Sequence, residues 1–266
     1  MRAIVTGFFL VLGLTCQAAE LTIVLPAATR TLSTEELLKH PQVQTVDIAN
    51  DVAYKRPMRY QAIPMAALLS GVQARDHLQM VALDGFAAEI PAAPLLQETG
   101  SRAWLAVENP ATPWPPLAHG KPGAGPFYLV WTRPEADHIG PEQWPFQIAR
   151  ISRQTPVAER FPALVPAKDA PADVQAGFAQ FQKNCLACHR LNGAGDAQFG
   201  PDLNVPHNPT EYFAEGFLAT YIRDPQSLRR WPQGKMPGFA PEVLSDEALR
   251  QLISYLRHMA GRKEPN

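Results

Sequence analysis

At 266 residues, with 46% hydrophobic and 18% charged residues and a formal net charge of −1, the chain is long enough for two modest domains with ample buried core. That near-neutral balance excludes the basic footprint of a nucleic-acid binder and a polybasic membrane tether.

The first residues read as an export signal. Met1-Arg2 is a short basic start, Ala3 to Leu14 an apolar stretch, and Gln17-Ala18-Ala19 a small-residue exit, so cleavage is expected near Ala19. The apolar stretch is too short to span a bilayer comfortably, and Leu14-Thr15 before Cys16 is a poor lipid-attachment box, so no stable membrane insertion is expected after cleavage. Loss of residues 1–19 removes Arg2 as their only charge and takes the net from −1 to −2. Cys16 leaves with them, so the mature chain keeps only Cys185 and Cys188 and has no cysteine to spare for a structural disulfide.

Residues 20–153 read as an α+β domain. Leu21 to Leu25, Val43 to Ile48, Leu78 to Leu83, Phe127 to Trp131 and Phe146 to Ile151 are short β-rich runs. Ser33-Thr34-Glu35-Glu36 is a capping box opening a short helix, and a second helix runs between Pro64 and Gly71. Asn109 to Gly125, with prolines at 110, 113, 115, 116 and 122, must be a long irregular loop. Its Gly120 to Gly125 end lacks the following Lys-Ser/Thr and the flanking helix of a phosphate loop. Trp104, Trp114, Trp131 and Trp144 are expected in the core, and His77, His119 and His138 show no metal-ligand spacing.

Residues 154–171 carry Pro156, Pro162, Pro166 and Pro171 among alanines and read as an extended, semi-rigid linker. Beyond it, residues 172–266 read as an all-α domain. Asp173 caps a helix whose Val174, Phe178 and Phe181 form one inward stripe. Ser245, with Asp246 and Glu247 behind it, caps another, whose Leu249, Leu252, Ile253 and Leu256 are expected to meet the first stripe.

The first of these helices delivers Cys185-Leu186-Ala187-Cys188-His189, two thiols three positions apart with a histidine directly behind. That pattern attaches a c-type haem: each thiol can add across a haem vinyl group, and the histidine can reach the iron as an axial ligand. A zinc site would need a second cysteine pair, although His207 or His258 could serve, and a thioredoxin-type pair would follow a strand.

Gly200-Pro201-Asp202-Leu203 and Lys235-Met236-Pro237-Gly238-Phe239, together with that motif, resemble the class I cytochromes c over nearly all of residues 172–262. The resemblance implies that the Pro201 carbonyl accepts a hydrogen bond from His189 and that Met236 is the distal iron ligand. Beside it stands a physical case: a soft thioether favours ferrous iron, and a methionine followed by Pro-Gly suits a rigid loop better than a helix. Met259, on the last helix, reads as packing. Tyr221, Arg223 and Trp231 are candidate partners for haem propionates, and Arg223, Arg229, Arg230 and Lys235 form a candidate basic rim for a redox partner with an acidic docking surface.

In the first domain, Arg59-Tyr60-Gln61-Ala62-Ile63-Pro64 before Leu68-Leu69, then Ala82-Leu83-Asp84-Gly85-Phe86 leading to Ile90-Pro91, resemble the molybdopterin-binding fold of sulfite oxidases over residues 42–150. Those enzymes hold molybdenum through a cysteine. No cysteine survives in this domain, which argues against molybdopterin as a working cofactor.

The expected function is therefore that of an exported, periplasmic monohaem cytochrome carrying single electrons, its first domain docking a partner or covering the haem edge. The competing class is a haem-containing oxidoreductase subunit whose first domain binds a substrate or cofactor. A credible sixth ligand and the missing molybdenum cysteine favour the carrier over the catalyst.

Overall fold

The computed structural model describes residues 19–197, 199–214 and 216–264. The export signal, apart from Ala19, lies outside the described residues, as does Cys16. In chain order the first half comprises β1 (Glu20–Leu25), β2 (Ala28–Ser33), α1 (Thr34–Leu38), β3 (Gln44–Ile48), β4 (Met58–Pro64), α2 (Met65–Leu68), β5 (His77–Ala82), β6 (Ala87–Pro91), α3 (Ala92–Leu96), β7 (Arg102–Val107), β8 (Phe127–Thr132) and β9 (Ile148–Gln154). The second half is helical, with α4 (Val157–Arg160), α5 (Ala172–Asn184), α6 (Pro209–Tyr212), α7 (Phe217–Arg223) and α8 (Asp246–Ala260). The class is α+β, with a β-rich N-terminal part and an all-α C-terminal part. None of the described helices is long and apolar enough to cross a membrane.

Strict alternation explains β1: Leu21, Ile23 and Leu25 are buried and the residues between them are not. It pairs antiparallel with β2 and parallel with β9 in a five-stranded sheet of order β2-β1-β9-β5-β6. A second, antiparallel sheet has the order β3-β4-β7-β8. Phe127 to Trp131 on β8 are all buried, as are Ala103 to Val107 on β7, so these two strands are covered on both faces and read as near-continuous apolar runs. The Ser33 capping box forms as expected, with the Ser33 hydroxyl accepting from the Glu36 amide and the Glu36 carboxylate accepting from the Ser33 amide at 2.7 Å.

Two separate apolar cores result. One runs from Leu21 to Ile151, the other from Val157 to Met259. Residues 154–171 differ from the extended connector that their prolines suggest. They form the α4 turn and a 3-10 turn at Pro162–Leu164, and they bury Val157 and Leu164 in the second core. Proline tolerates the first turn of a helix, where its missing N–H costs nothing, and the apolar side chains between the prolines supply a reason to fold back.

In the second core, α5 and α8 cross at close range. Tyr255 on α8 sits against both Phe178 and Phe181 of α5, with ring centroids 5.6 and 5.4 Å apart, and its hydroxyl donates to the Leu164 carbonyl at 2.7 Å. Each such aromatic contact contributes about 0.5–1.5 kcal/mol beyond the area it buries. Gly177 permits the approach, because a Cβ there would run into the Gln251 backbone carbonyl and the Tyr255 side chain. The helix begins one residue before the expected cap: Pro171 occupies the N-cap position, and Asp173 lies in the first turn, where its charge favours the helix N-terminus. Ser245 caps α8 as expected, accepting from the Ala248 amide.

A polar seam joins the two halves. The Arg160 guanidinium, on α4, donates to Glu89 of β6 at 2.5 Å and to Asp196 at 2.9 Å, and the Gln79 amide of β5 donates to the same two carboxylates at 2.8 and 2.6 Å. Gly177→Ala is expected to press α5 off α8 and to cost about 1–3 kcal/mol. Denaturant unfolding of the variant checks this, and an unchanged midpoint would refute the close approach.

Candidate functional site

Cys185 ends α5, its amide donating to the Phe181 carbonyl, and the chain turns once more so that the His189 amide donates to the Cys185 carbonyl at 2.8 Å. This turn brings Cys185, Cys188 and His189 together. Both thiols are free and half-buried.

The His189 Nδ1 lies 2.8 Å from the Pro201 carbonyl oxygen. A carbonyl can only accept, so Nδ1 carries the hydrogen and the neutral ring keeps its lone pair at Nε2. Gly200 allows this geometry: its amide donates to the Cys188 carbonyl at 2.7 Å, and a Cβ at this position would collide with the imidazole at Nδ1 and Cε1. Burial pulls the imidazole's pKa below its ordinary value, against the opposing influence of the Pro201 hydrogen bond and the Asp202 charge, so the neutral ligand form is favoured.

The loop carrying Pro201 is itself tied down. The Asp202 carboxylate accepts from the amides of Asn192, Gly193, Asn204 and Val205 at 2.6–3.1 Å. The buried Asn204 amide donates to Asn192 and to the Met259 carbonyl, each at 2.7 Å, and the buried Asn208 amide donates to Asn204 and to the Leu256 carbonyl, each at 2.9 Å. A chain of side-chain amides thus runs from α8 to the loop beside His189. Sequence reasoning missed it, because asparagines between helices look like solvated loop residues. The one available signal was the Asn208-Pro209-Thr210-Glu211 capping box.

Met236 is half-buried and packs against the same apolar core as Cys185. Its segment is pinned just downstream, where the Phe239 amide donates to the Ile222 carbonyl at 3.1 Å and Phe239 is buried. Arg223 departs from its expected places. Its guanidinium donates to the Phe239 and Leu244 carbonyls at 2.7 and 2.5 Å and to Asp246 at 2.7 Å, which commits it to holding the Met236 segment against α8 and removes it from the basic rim. Trp231 is exposed, with the Arg229 guanidinium 4.8 Å above its ring, and Tyr221 stacks with Phe213 at 5.2 Å. Met259 is buried packing. Of the three spaced histidines, His119 is exposed and His77 half-buried, while His138 reaches the second half. Among the described residues no three His, Cys, Asp or Glu side chains group to hold a metal.

The electrostatics bring in a residue from the first half. Burial pushes the Cys185 thiol far above its ordinary range and the Cys188 thiol up to about 12, and in each case the Glu142 carboxylate adds to the rise. Burial alone pushes Glu142 up to about 7. Two neutral thiols one turn apart, an imidazole anchored through Nδ1 with Nε2 free, and a glycine cradle against its ring make a donor set chemically suited to a haem.

The family model described as cytochrome c matches residues 174–260. That segment is a cytochrome c domain. A curated relative, the cytochrome bc1 complex cytochrome c subunit of Mycobacterium leprae (strain TN), is 31% identical over 97 residues, which cover 35% of this chain. The match spans 29% of that relative's own length. Among solved structures, the sulfane dehydrogenase SoxCD from Paracoccus pantotrophus is matched at 17% identity with a TM-score of 0.36, over 51% of this chain and 38% of that one, a likeness too slight to carry an argument.

Gly200→Ala is expected to displace the His189 ring from the Pro201 carbonyl while leaving the fold intact. The haem content of purified protein, measured against its far-UV circular dichroism, should fall several-fold, and full occupancy would refute the cradle.

Proposed function

We propose that the chain is an exported, periplasmic monohaem c-type cytochrome that transfers single electrons. In this reading residues 1–19 are the cleaved signal, 20–153 the first domain, 154–171 the connector and 172–266 the haem domain. The observation that carries it is the hydrogen bond from His189 to the Pro201 carbonyl, 2.8 Å long, directly behind two free thiols. Haem attached to Cys185 and Cys188 would supply the one-electron couple. The Pro201 carbonyl fixes the His189 ring and raises its basicity as a ligand. His189 and Met236 would be the residues that hold the iron, and the Met236 thioether would favour its reduced state. The likeness to a cytochrome c subunit of a bc1 complex supports a redox protein as the partner. Arg229, Arg230 and Lys235, all exposed, form the basic rim on which an acidic docking surface would sit.

The test is metal analysis and optical spectroscopy of the mature protein produced with haem-maturation machinery. One haem iron per chain with a methionine-to-iron charge-transfer band supports the reading, and a five-coordinate iron or stoichiometric molybdenum overturns it. Met236→Ala is expected to keep its covalent haem, to bind carbon monoxide, and to lower the midpoint potential by more than about 59 mV, the equivalent of tenfold in a one-electron equilibrium. An unchanged potential assigns the iron another ligand. Reduction by an acidic partner should slow as salt rises, with Arg230→Glu slowing it further at low salt; a salt-independent rate removes the basic rim.

A further inference from the structure

Between β8 and β9 the chain passes through 3-10 turns at Pro134–Asp137 and Pro141–Gln143. The residues that join these turns are anchored in the first half. The Asp137 carboxylate accepts from the Ser101 amide at 2.7 Å and from the Gln97 side chain at 2.8 Å, Ile139 is buried in the first core, and the Trp131 indole donates to the Gln143 carbonyl at 2.7 Å. His138 and Gly140, on either side of Ile139, meet the second half instead. The Lys183 ammonium, in the last turn of α5, donates to the His138 carbonyl at 2.8 Å. The His138 Nδ1 lies 2.9 Å from the Glu242 carbonyl oxygen, which can only accept, so the ring donates. Gly140 fits so closely that a Cβ would meet Val243 at 2.8 Å and Asn184 at 3.6 Å. His138 makes its contacts from a left-handed backbone conformation, φ +52°, of the kind that persists only where the surroundings hold it.

These contacts join two pieces of chain that matter to the site. Lys183 and Asn184 immediately precede Cys185, while Glu242 and Val243 lie in the loop that runs from Met236 to α8. That loop is tied into one unit from Phe239 onward: the Ala240 carbonyl accepts from the Val243 and Leu244 amides, each at 3.0 Å, and the Arg223 guanidinium bridges the Phe239 and Leu244 carbonyls. A hold at Glu242 is therefore passed to Phe239, three residues beyond Met236. The first half is also attached elsewhere, where Arg160 and Gln79 hold Asp196 and Phe86 packs 6.0 Å from Phe199, so residues 138–140 are not free to swing away alone.

We infer that residues 138–140 of the first domain rivet the Met236 loop to the end of α5, and that His138 is a positioning residue for Met236, acting through the Glu242 carbonyl. This rests on the haem-binding reading above, with Met236 as an iron ligand. For Met236 to leave the iron the loop must lift from α5, which breaks the His138–Glu242 hydrogen bond and unpacks Gly140 from Val243. Without that bond the opened state is more populated by the factor the bond supplied. The first domain then keeps the iron of the second closed to external ligands.

The experiment is the rate of carbon monoxide binding to the reduced, haem-loaded full-length chain, with amide hydrogen exchange measured over residues 238–244 and covalent haem content measured first. His138→Gly removes the ring and suits the left-handed backbone, so the turn is kept. It should bind carbon monoxide about fivefold faster, the ratio that one hydrogen bond of ordinary net strength confers, and the loop amides should exchange faster by a similar factor. His138→Asn, which tolerates the same backbone and places an amide donor where Nδ1 stood, should return both readings towards wild type. A haem-loaded His138→Gly variant that binds carbon monoxide at the wild-type rate, whatever its exchange, overturns the inference alone, as does a His138→Asn variant as fast as His138→Gly. A wild-type chain that carries no covalent haem, or whose carbon monoxide binding Met236→Ala does not accelerate, overturns the underlying reading and this inference with it.

Discussion

The contact between α5 and α8 is the constraint on which the second half depends. Gly177 lets the two backbones approach, and Tyr255 then fills the space between Phe178 and Phe181 while its hydroxyl secures Leu164 of the connector. Everything near the thiols is referenced to this pair. α5 ends at Cys185, and α8 offers the Met259 and Leu256 carbonyls to the asparagine chain that fixes the Pro201 loop. A displacement of one helix would therefore be felt at the His189 ring through two independent routes, one covalent and one through hydrogen bonds.

Around that pair, polar groups act as positioners. Asp202 gathers four backbone amides, which keeps a glycine- and asparagine-rich loop in one conformation without apolar side chains to pack it. Arg223 does the same for the Met236 segment by bridging two carbonyls and Asp246. Such groups hold geometry and add stability together, since a charged hydrogen bond to a backbone group contributes about 1.5–3 kcal/mol net. The seam of Arg160, Glu89, Gln79 and Asp196 extends the same device across the two halves.

The legible parts of the sequence were those with short-range signals. Periodicity showed α5 and α8, the capping box showed α1, and β-branched or aromatic runs showed β1, β3, β5, β8 and much of β9. β2, β4, β6 and β7 escaped. Ala87-Ala88-Glu89 carries little intrinsic strand preference and becomes a strand by pairing with β5, and β2, largely exposed, is held as a strand by its pairing with β1. The connector was misjudged for a similar reason: proline spacing describes local stiffness, whereas the burial of Val157 and Leu164 depends on a core assembled from residues far along the chain.

By itself the sequence determined that two thiols and an imidazole converge, because within five residues they need only one turn of backbone. It also determined the α+β class and the all-α second half, through patterns of period two and period 3.6. Only the tertiary structure decided which long-range partners those groups meet: that Arg223 turns inward, that asparagines bind the Pro201 loop to α8, and that the His138 carbonyl, more than forty residues before the motif, accepts from Lys183 at the end of α5. These are contacts between segments distant in sequence, set by how the two cores dock, and no local pattern encodes them.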